Sequence, residues 1–112
     1  MKYKVETIPA FDKALKKLVK KYLCLKEDIT HLIHSLQQDP YKGQPLGKKI
    51  YKIRLAISSK NTGKSGGARV ITFVTTIEER VVLLKIYDKS HLDNLSDNEL
   101  KALHLQACSA SK

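Results

Sequence analysis

The hydrophobic pattern changes period several times along the chain. Tyr3, Val5 and Thr7 alternate with Lys2, Lys4 and Glu6, the period of two that marks a short strand with one buried face. After Pro9 the period lengthens. Phe11, Ala14, Leu15, Leu18, Val19 and Tyr22 share one helical face, and Lys13, Lys16, Lys17, Lys20 and Lys21 occupy the rest. A break at residues 23–25 precedes a second stripe, Leu25, Ile29, Leu32, Ile33 and Leu36. Asp39-Pro40 stops it, because the residue before a proline is disfavoured in the helical region. Two helices in a hairpin follow. Residues 41–49 contain two Gly and one Pro and read as an ordered loop. Alternation returns over residues 50–57, with Tyr51, Ile53, Leu55 and Ile57 on one face and Lys52, Arg54 and Ala56 on the other. Residues 69–76 and 80–88 are β-branched and aromatic runs joined by Ile77-Glu78-Glu79, the pattern of a hairpin. Ser96 and Glu99, flanked by Leu95 and Leu100, form a capping box for a last helix to about Cys108. The predicted order is β-α-α-β-β-β-α: an N-terminal strand, a two-helix hairpin, a mostly antiparallel strand meander and a C-terminal helix, an α+β fold.

Size bounds this reading. At 112 residues the chain is expected to form one domain, 1–112, since it is too short for two independent cores. Hydrophobic residues make up 42%, enough for a packed core, which excludes disorder over most of the chain. No apolar run approaches the roughly 18–20 residues that span a bilayer, and the first residues hold no apolar signal segment. The expectation is a cytoplasmic protein with no membrane association. Cys24 and Cys108 lack metal-ligand spacing and read as thiols rather than as a disulfide.

Charge adds the functional signal. The net charge is +10, and a basic domain of this size attracts polyanions. The charge is also segregated: residues 1–69 hold 16 basic and 5 acidic side chains, and no acidic residue lies between Asp39 and Glu78. That acid-free stretch carries Lys42, Lys48, Lys49, Lys52, Arg54, Lys60, Lys64 and Arg69. Familiar enzymatic motifs are missing. Gly63-Lys64-Ser65 has Ser58 where a phosphate-binding loop needs its first Gly, and a strand rather than a helix is predicted after it. His31, His34, His91 and His104 have no Cys-x-x-Cys or His-x-Glu partners, which argues against a metal site, and His31 and His34 read as helix-surface residues. What remains is a cationic cluster on strands: Lys52 and Arg54 on one, Arg69 opening the next, and Lys85, Tyr87 and Lys89 along the third. Such a cluster binds a phosphodiester and stabilises the extra negative charge of a phosphorane-like transition state. Charge and spacing alone are equally consistent with binding RNA and with cutting it.

Four segments carry a family resemblance: Tyr51-Lys52-Ile53-Arg54-Leu55, Lys64-Ser65-Gly66-Gly67-Ala68-Arg69-Val70-Ile71, Leu83-Leu84-Lys85-Ile86-Tyr87-Asp88-Lys89 and Asp93-Asn94-Leu95-Ser96. With them the chain resembles, over nearly its whole length, the RelE/ParE superfamily of type II toxin–antitoxin toxins, in particular its RelE and HigB-like branch. The resemblance implies a RelE-like fold and a toxin that enters the ribosomal A site and cleaves mRNA there without metal or cofactor. It would activate the ribose 2′-hydroxyl against the adjacent phosphate, and a cognate acidic antitoxin would restrain it. On this resemblance Lys52 and Arg54 bind and polarise the phosphate, and Arg69, expected beside an exposed loop, stabilises charge. Lys89 and His91 are the nearest candidates for a general acid, and Tyr87 for base stacking. Lys48, Lys49, Lys60, Lys64 and Lys85 join Tyr87 as expected RNA contacts. Thr72 departs from the family, where Arg-Val-Ile-Tyr is common. Two alternatives accompany this reading: a ParE-like inhibitor of DNA gyrase, and a basic RNA-binding module without catalysis.

Overall fold

The computed structural model describes residues 3–47, 49–56 and 67–88, together with Asn98, Lys101, Ala102 and Leu105. Its elements are β1 (Lys4–Thr7), α1 (Pro9–Lys21), α2 (Leu25–Gln38), β2 (Gln44–Gly47), β3 (Ile50–Leu55), β4 (Ala68–Thr75) and β5 (Arg80–Asp88). Both helices begin and end where the apolar stripes do. Pro9 opens α1 at a position whose backbone N–H has no helical partner in any case, and Lys20 and Lys21 sit in its last turn against the negative end of the helix dipole. In α2 the acidic Glu27 and Asp28 occupy the opposite, positive end. His31 and His34 are exposed on that helix.

The five strands form one sheet in the order β1-β5-β4-β3-β2. β1 runs parallel to β5, pairing Lys4 with Arg80 through Thr7 with Leu83, and the other three pairings are antiparallel. β4 is therefore central, and each of its eight residues is buried. The α+β class and the order of helices and strands agree with the sequence pattern, with one correction. Residues 41–49 are not a loop throughout: Gln44–Gly47 is an edge strand paired with β3. Pro45 and two glycines hide it from propensity reasoning, yet an edge strand needs hydrogen bonds on only one side and tolerates proline. A register shift between Pro45 and Gly47 turns the chain into β3. The predicted C-terminal helix, with Ser96, Glu99 and Cys108, lies outside the described residues, except that Asn98, Lys101, Ala102 and Leu105 are helical.

Cross-strand partners share a face of a sheet, so the register assigns sides. One side carries Ile53, Ala68, Val70, Val74, Val81 and Ile86, which cluster with Phe11, Leu25, Ile29, Leu32 and Leu36 of the helices. Asp88 lies on the same side, only 1% exposed. The Tyr22 hydroxyl at the end of α1 donates to its Oδ2 at 2.5 Å, and the Lys21 ammonium stands 4.0 Å away. This contact pins α1 to the end of β5. The opposite side of the sheet holds the cations.

Candidate active site

On the side away from the helices, the register lines up two adjacent rows. Arg54 of β3 faces Arg69 of β4, which faces Tyr87 of β5; one step along, Lys52 faces Ile71, which faces Lys85. Adjacent strands lie about 4.8 Å apart, and alternate residues on a strand about 6.7 Å. Four cations from three strands thus share a patch roughly 10 Å across, the scale of a phosphodiester and its flanking sugars. Neither row contains a carboxylate. Period-two alternation explains the arrangement, because it sends Lys52 with Arg54, and Lys85 with Tyr87, to one side.

The members differ in exposure. Arg54 is exposed, and Lys52 and Lys85 are half-buried. Arg69, expected at the surface, is only 4% exposed, and its Nη1 donates to the Ala68 carbonyl at 3.1 Å. The reason is its strand: β4 is covered on both faces, so a residue near its start is enclosed. Tyr87 is 7% exposed, which leaves little ring surface for a base. Lys49 is exposed in the β2–β3 turn with a positive φ of 66°. Its carbonyl accepts from Val74 N–H at 3.0 Å, at the far end of β3 from Arg54 and outside the two rows. Lys48, Lys60, Lys64, Lys89 and His91 lie outside the described residues. Thr72 is buried and belongs to the helix side of the sheet, paired with Tyr51.

Two glycines close on the backbone of β3. A Cβ at Gly67 would stand 2.0 Å from the Leu55 carbonyl oxygen, and one at Gly43, where φ is +102°, 2.5 Å from that of Lys52. No side chain fits at either position, so the chain presses against the strand that carries Lys52 and Arg54. Beside Gly43 a groove of ≈ 320 Å³ is lined by Lys42, Gly43, Gln44, Lys52, Ile53 and Arg54. Lys42 was visible in the sequence as one of the acid-free stretch. Gln44 was not, since only its pairing with Lys52 brings it beside the cations.

Arg80 lies on the cationic side as well but is engaged by carboxylates. It bonds to Glu6 of β1 and, at 3.1 Å, to Glu78. Burial opposes its charge, yet these bonds outweigh burial and raise its pKa; the bond from Arg80 holds the Glu6 carboxyl below its ordinary value. Among the described residues no three His, Cys, Asp or Glu side chains converge to hold a metal ion, and no helix is long and apolar enough to cross a membrane.

A sheet of this order, backed by a two-helix hairpin, defines the RelE type of toxin fold. The structure is similar to an arginine-to-alanine double variant of the E. coli toxin RelE in the free state, with a TM-score of 0.61 and 15% identity over 96% of this chain and 98% of that one. The RelBE toxin–antitoxin complex from Mycobacterium tuberculosis contains a chain that matches with a TM-score of 0.57 and 18% identity, over 79% of this chain and 92% of that one. A metal-bound toxin from Helicobacter pylori matches with 0.52 and 23%, over 80% and 98%. The family profile of the RelE toxin of the RelE/RelB toxin–antitoxin system covers residues 10–112, and the chain belongs to this family. It is the toxin of a type II toxin–antitoxin system.

Proposed function

We propose that this toxin is a ribosome-dependent mRNA endoribonuclease that works without a metal ion, by attack of a ribose 2′-hydroxyl on the adjacent phosphate. The observation that carries the reading is the pair of cationic rows on the side of the sheet away from the helices, in a chain of the RelE toxin family. Lys52 and Arg54 hold the non-bridging oxygens of the phosphate. Arg69, fixed on the central strand, offers its guanidinium to the charge that builds on the phosphorane, where a preorganised donor in a water-poor setting counts most. The O2′–P bond forms as the P–O5′ bond breaks; the 2′-hydroxyl gives up a proton and the departing 5′-oxygen takes one, for which Lys89 and His91 are the candidate acids. Lys85, with Lys48, Lys60 and Lys64, supports the RNA around it. The antitoxin, in this reading, is acidic where it meets the toxin, and the toxin acts in the cytoplasm, at the A site of translating ribosomes.

Cleavage of mRNA on purified ribosomes, run in a chelator excess that leaves the ribosomes intact, tests this. The expected products end in a 2′,3′-cyclic phosphate or a 3′-phosphate, and primer extension after induction maps cuts inside translated codons. Recovery of 3′-hydroxyl ends contradicts 2′-hydroxyl attack. DNA double-strand breaks without RNA cuts would identify a gyrase poison, and RNA binding without cuts a non-catalytic module.

A further inference from the structure

The groove at the β2–β3 edge adjoins the cationic rows and shares Lys52 and Arg54 with them. Its walls come from both strands: Gln44 pairs with Lys52 and so faces the same side, Lys42 lies two residues before Gln44, and Arg54 two residues after Lys52. Gly43 lines the groove and approaches the Lys52 carbonyl too closely for a side chain. Its volume, ≈ 320 Å³, falls at the lower end of the roughly 300–1,000 Å³ of small-ligand clefts, enough for one nucleotide unit. Three of its six lining residues are cations, none is acidic, and Lys42 is half-buried. Exposed Gln44 adds one hydrogen-bond acceptor and two donors, the equipment that reads a base edge.

We propose that this groove is a nucleotide subsite for single-stranded RNA: Lys42 binds the phosphate one step along the strand from the scissile one, and Gln44 contacts the base of that nucleotide and biases which sequences are cut. The proposal rests on the nuclease reading for the placement of the scissile phosphate between Lys52, Arg54 and Arg69. Charge favours RNA over an acidic peptide here, because a phosphodiester strand bound at the two rows continues across Lys52 and Arg54 into the groove without a break, and these two cations belong to both.

Binding of a short, unstructured single-stranded RNA, followed by fluorescence anisotropy across a salt series, tests the subsite independently of cleavage. Lys42→Ala is expected to weaken binding several-fold and to reduce the log–log salt slope by about 0.7, the loss of one single-strand phosphate contact. Gln44→Ala should leave the salt slope alone. In the ribosomal cleavage assay it should redistribute cuts among codons, while Lys42→Ala shifts half-saturation more than the saturated rate. Thermal melts of both variants should stay close to the parent's, since Gln44 is exposed and Lys42 only half-buried. If Lys42→Ala keeps the parent's affinity and slope, and Gln44→Ala its cleavage pattern, the subsite is refuted while the nuclease reading stands. If both variants bind RNA as the parent does but lose co-purification with the antitoxin, the groove belongs to the antitoxin. A parent that binds the RNA with the Lys42-dependent slope yet never cuts would sink the nuclease reading, and with it the role of Gln44 in cleavage choice, and leave only a phosphate site.

Discussion

Arg69 holds its charge on the central strand, nearly out of solvent, with one guanidinium nitrogen tied to the Ala68 carbonyl. A cation fixed in that setting acts on an anion through a lower dielectric than a surface lysine does. Arg69→Ala is therefore expected to slow cleavage by roughly 100- to 1,000-fold, the cost of one charge-stabilising donor at about 2.7–4 kcal/mol. Burial adds a second effect. The long aliphatic stem is packed, so its removal should also cost about 1–2 kcal/mol and several degrees of melting temperature. Arg69→Lys separates the two, because it keeps a charge and most of the stem but loses the planar fork that grips two oxygens; it should melt closer to the parent and still cut slowly. Single-turnover cleavage with a thermal melt of each variant decides this, and parent-like cutting by Arg69→Ala would remove Arg69 from the chemistry. The burial had a trace in the sequence. Residues 69–76 run without the polar alternation seen in residues 50–57, and an uninterrupted run signals a strand covered on both sides. The arginine at its head was read by residue type instead, and so was expected at the surface.

Among the elements, β1 is held to the sheet by four residue pairs with β5 and by the Glu6–Arg80 ion pair. Because the Glu6 carboxyl titrates below its ordinary value of 4.5 in the folded protein, its contribution to stability is fully present above that pH and is lost as pH falls through the lowered value. Glu6→Gln should therefore be less stable than the parent at neutral pH, and the gap should narrow in acid. Urea midpoints measured from pH 7 down to pH 3 check this; a gap that stays constant would show that the ion pair contributes nothing. The helices and β3 were legible from a sustained period, and β4 and β5 from their β-branched and aromatic runs. The cationic side was legible with them, through the alternation of Lys52 with Arg54 and Lys85 with Tyr87. β2 was not, because Gly43, Pro45 and Gly47 erase its local signal and its pairing with β3 supplies the reason for its shape. The parallel partner of β1 was equally out of reach: nothing near Lys4 indicates Arg80.

At the scale of the whole molecule, the charge that suits RNA is also a hazard, since 16 basic side chains against 5 in residues 1–69 attract any polyanion in the cell. On the proposed reading, an acidic antitoxin segment laid over Lys52, Arg54 and Arg69 would neutralise that field and order itself on binding. Co-expression with the antitoxin from a short neighbouring reading frame is expected to restore growth, and the purified complex should dissociate faster as salt is raised, because exposed charge pairs are screened over about 8–10 Å at physiological ionic strength. A toxin harmless at high level, with growth indifferent to the neighbouring frame, would defeat this expectation.

The parallel pairing of β1 with β5 joins the two ends of the described sheet in sequence: Lys4 must find Arg80, a closure that costs about 4 kcal/mol of chain entropy by the logarithmic loop law. Synthesis runs from the first residue to the last, so the strand made first is the one that waits. Its partner does not exist until β5 has been translated, and by then the cations of β3 and β4 have already been made. Completion of the sheet is thereby deferred until residue 88 has been made, and the topology sets a minimum interval between making the first strand and pairing it.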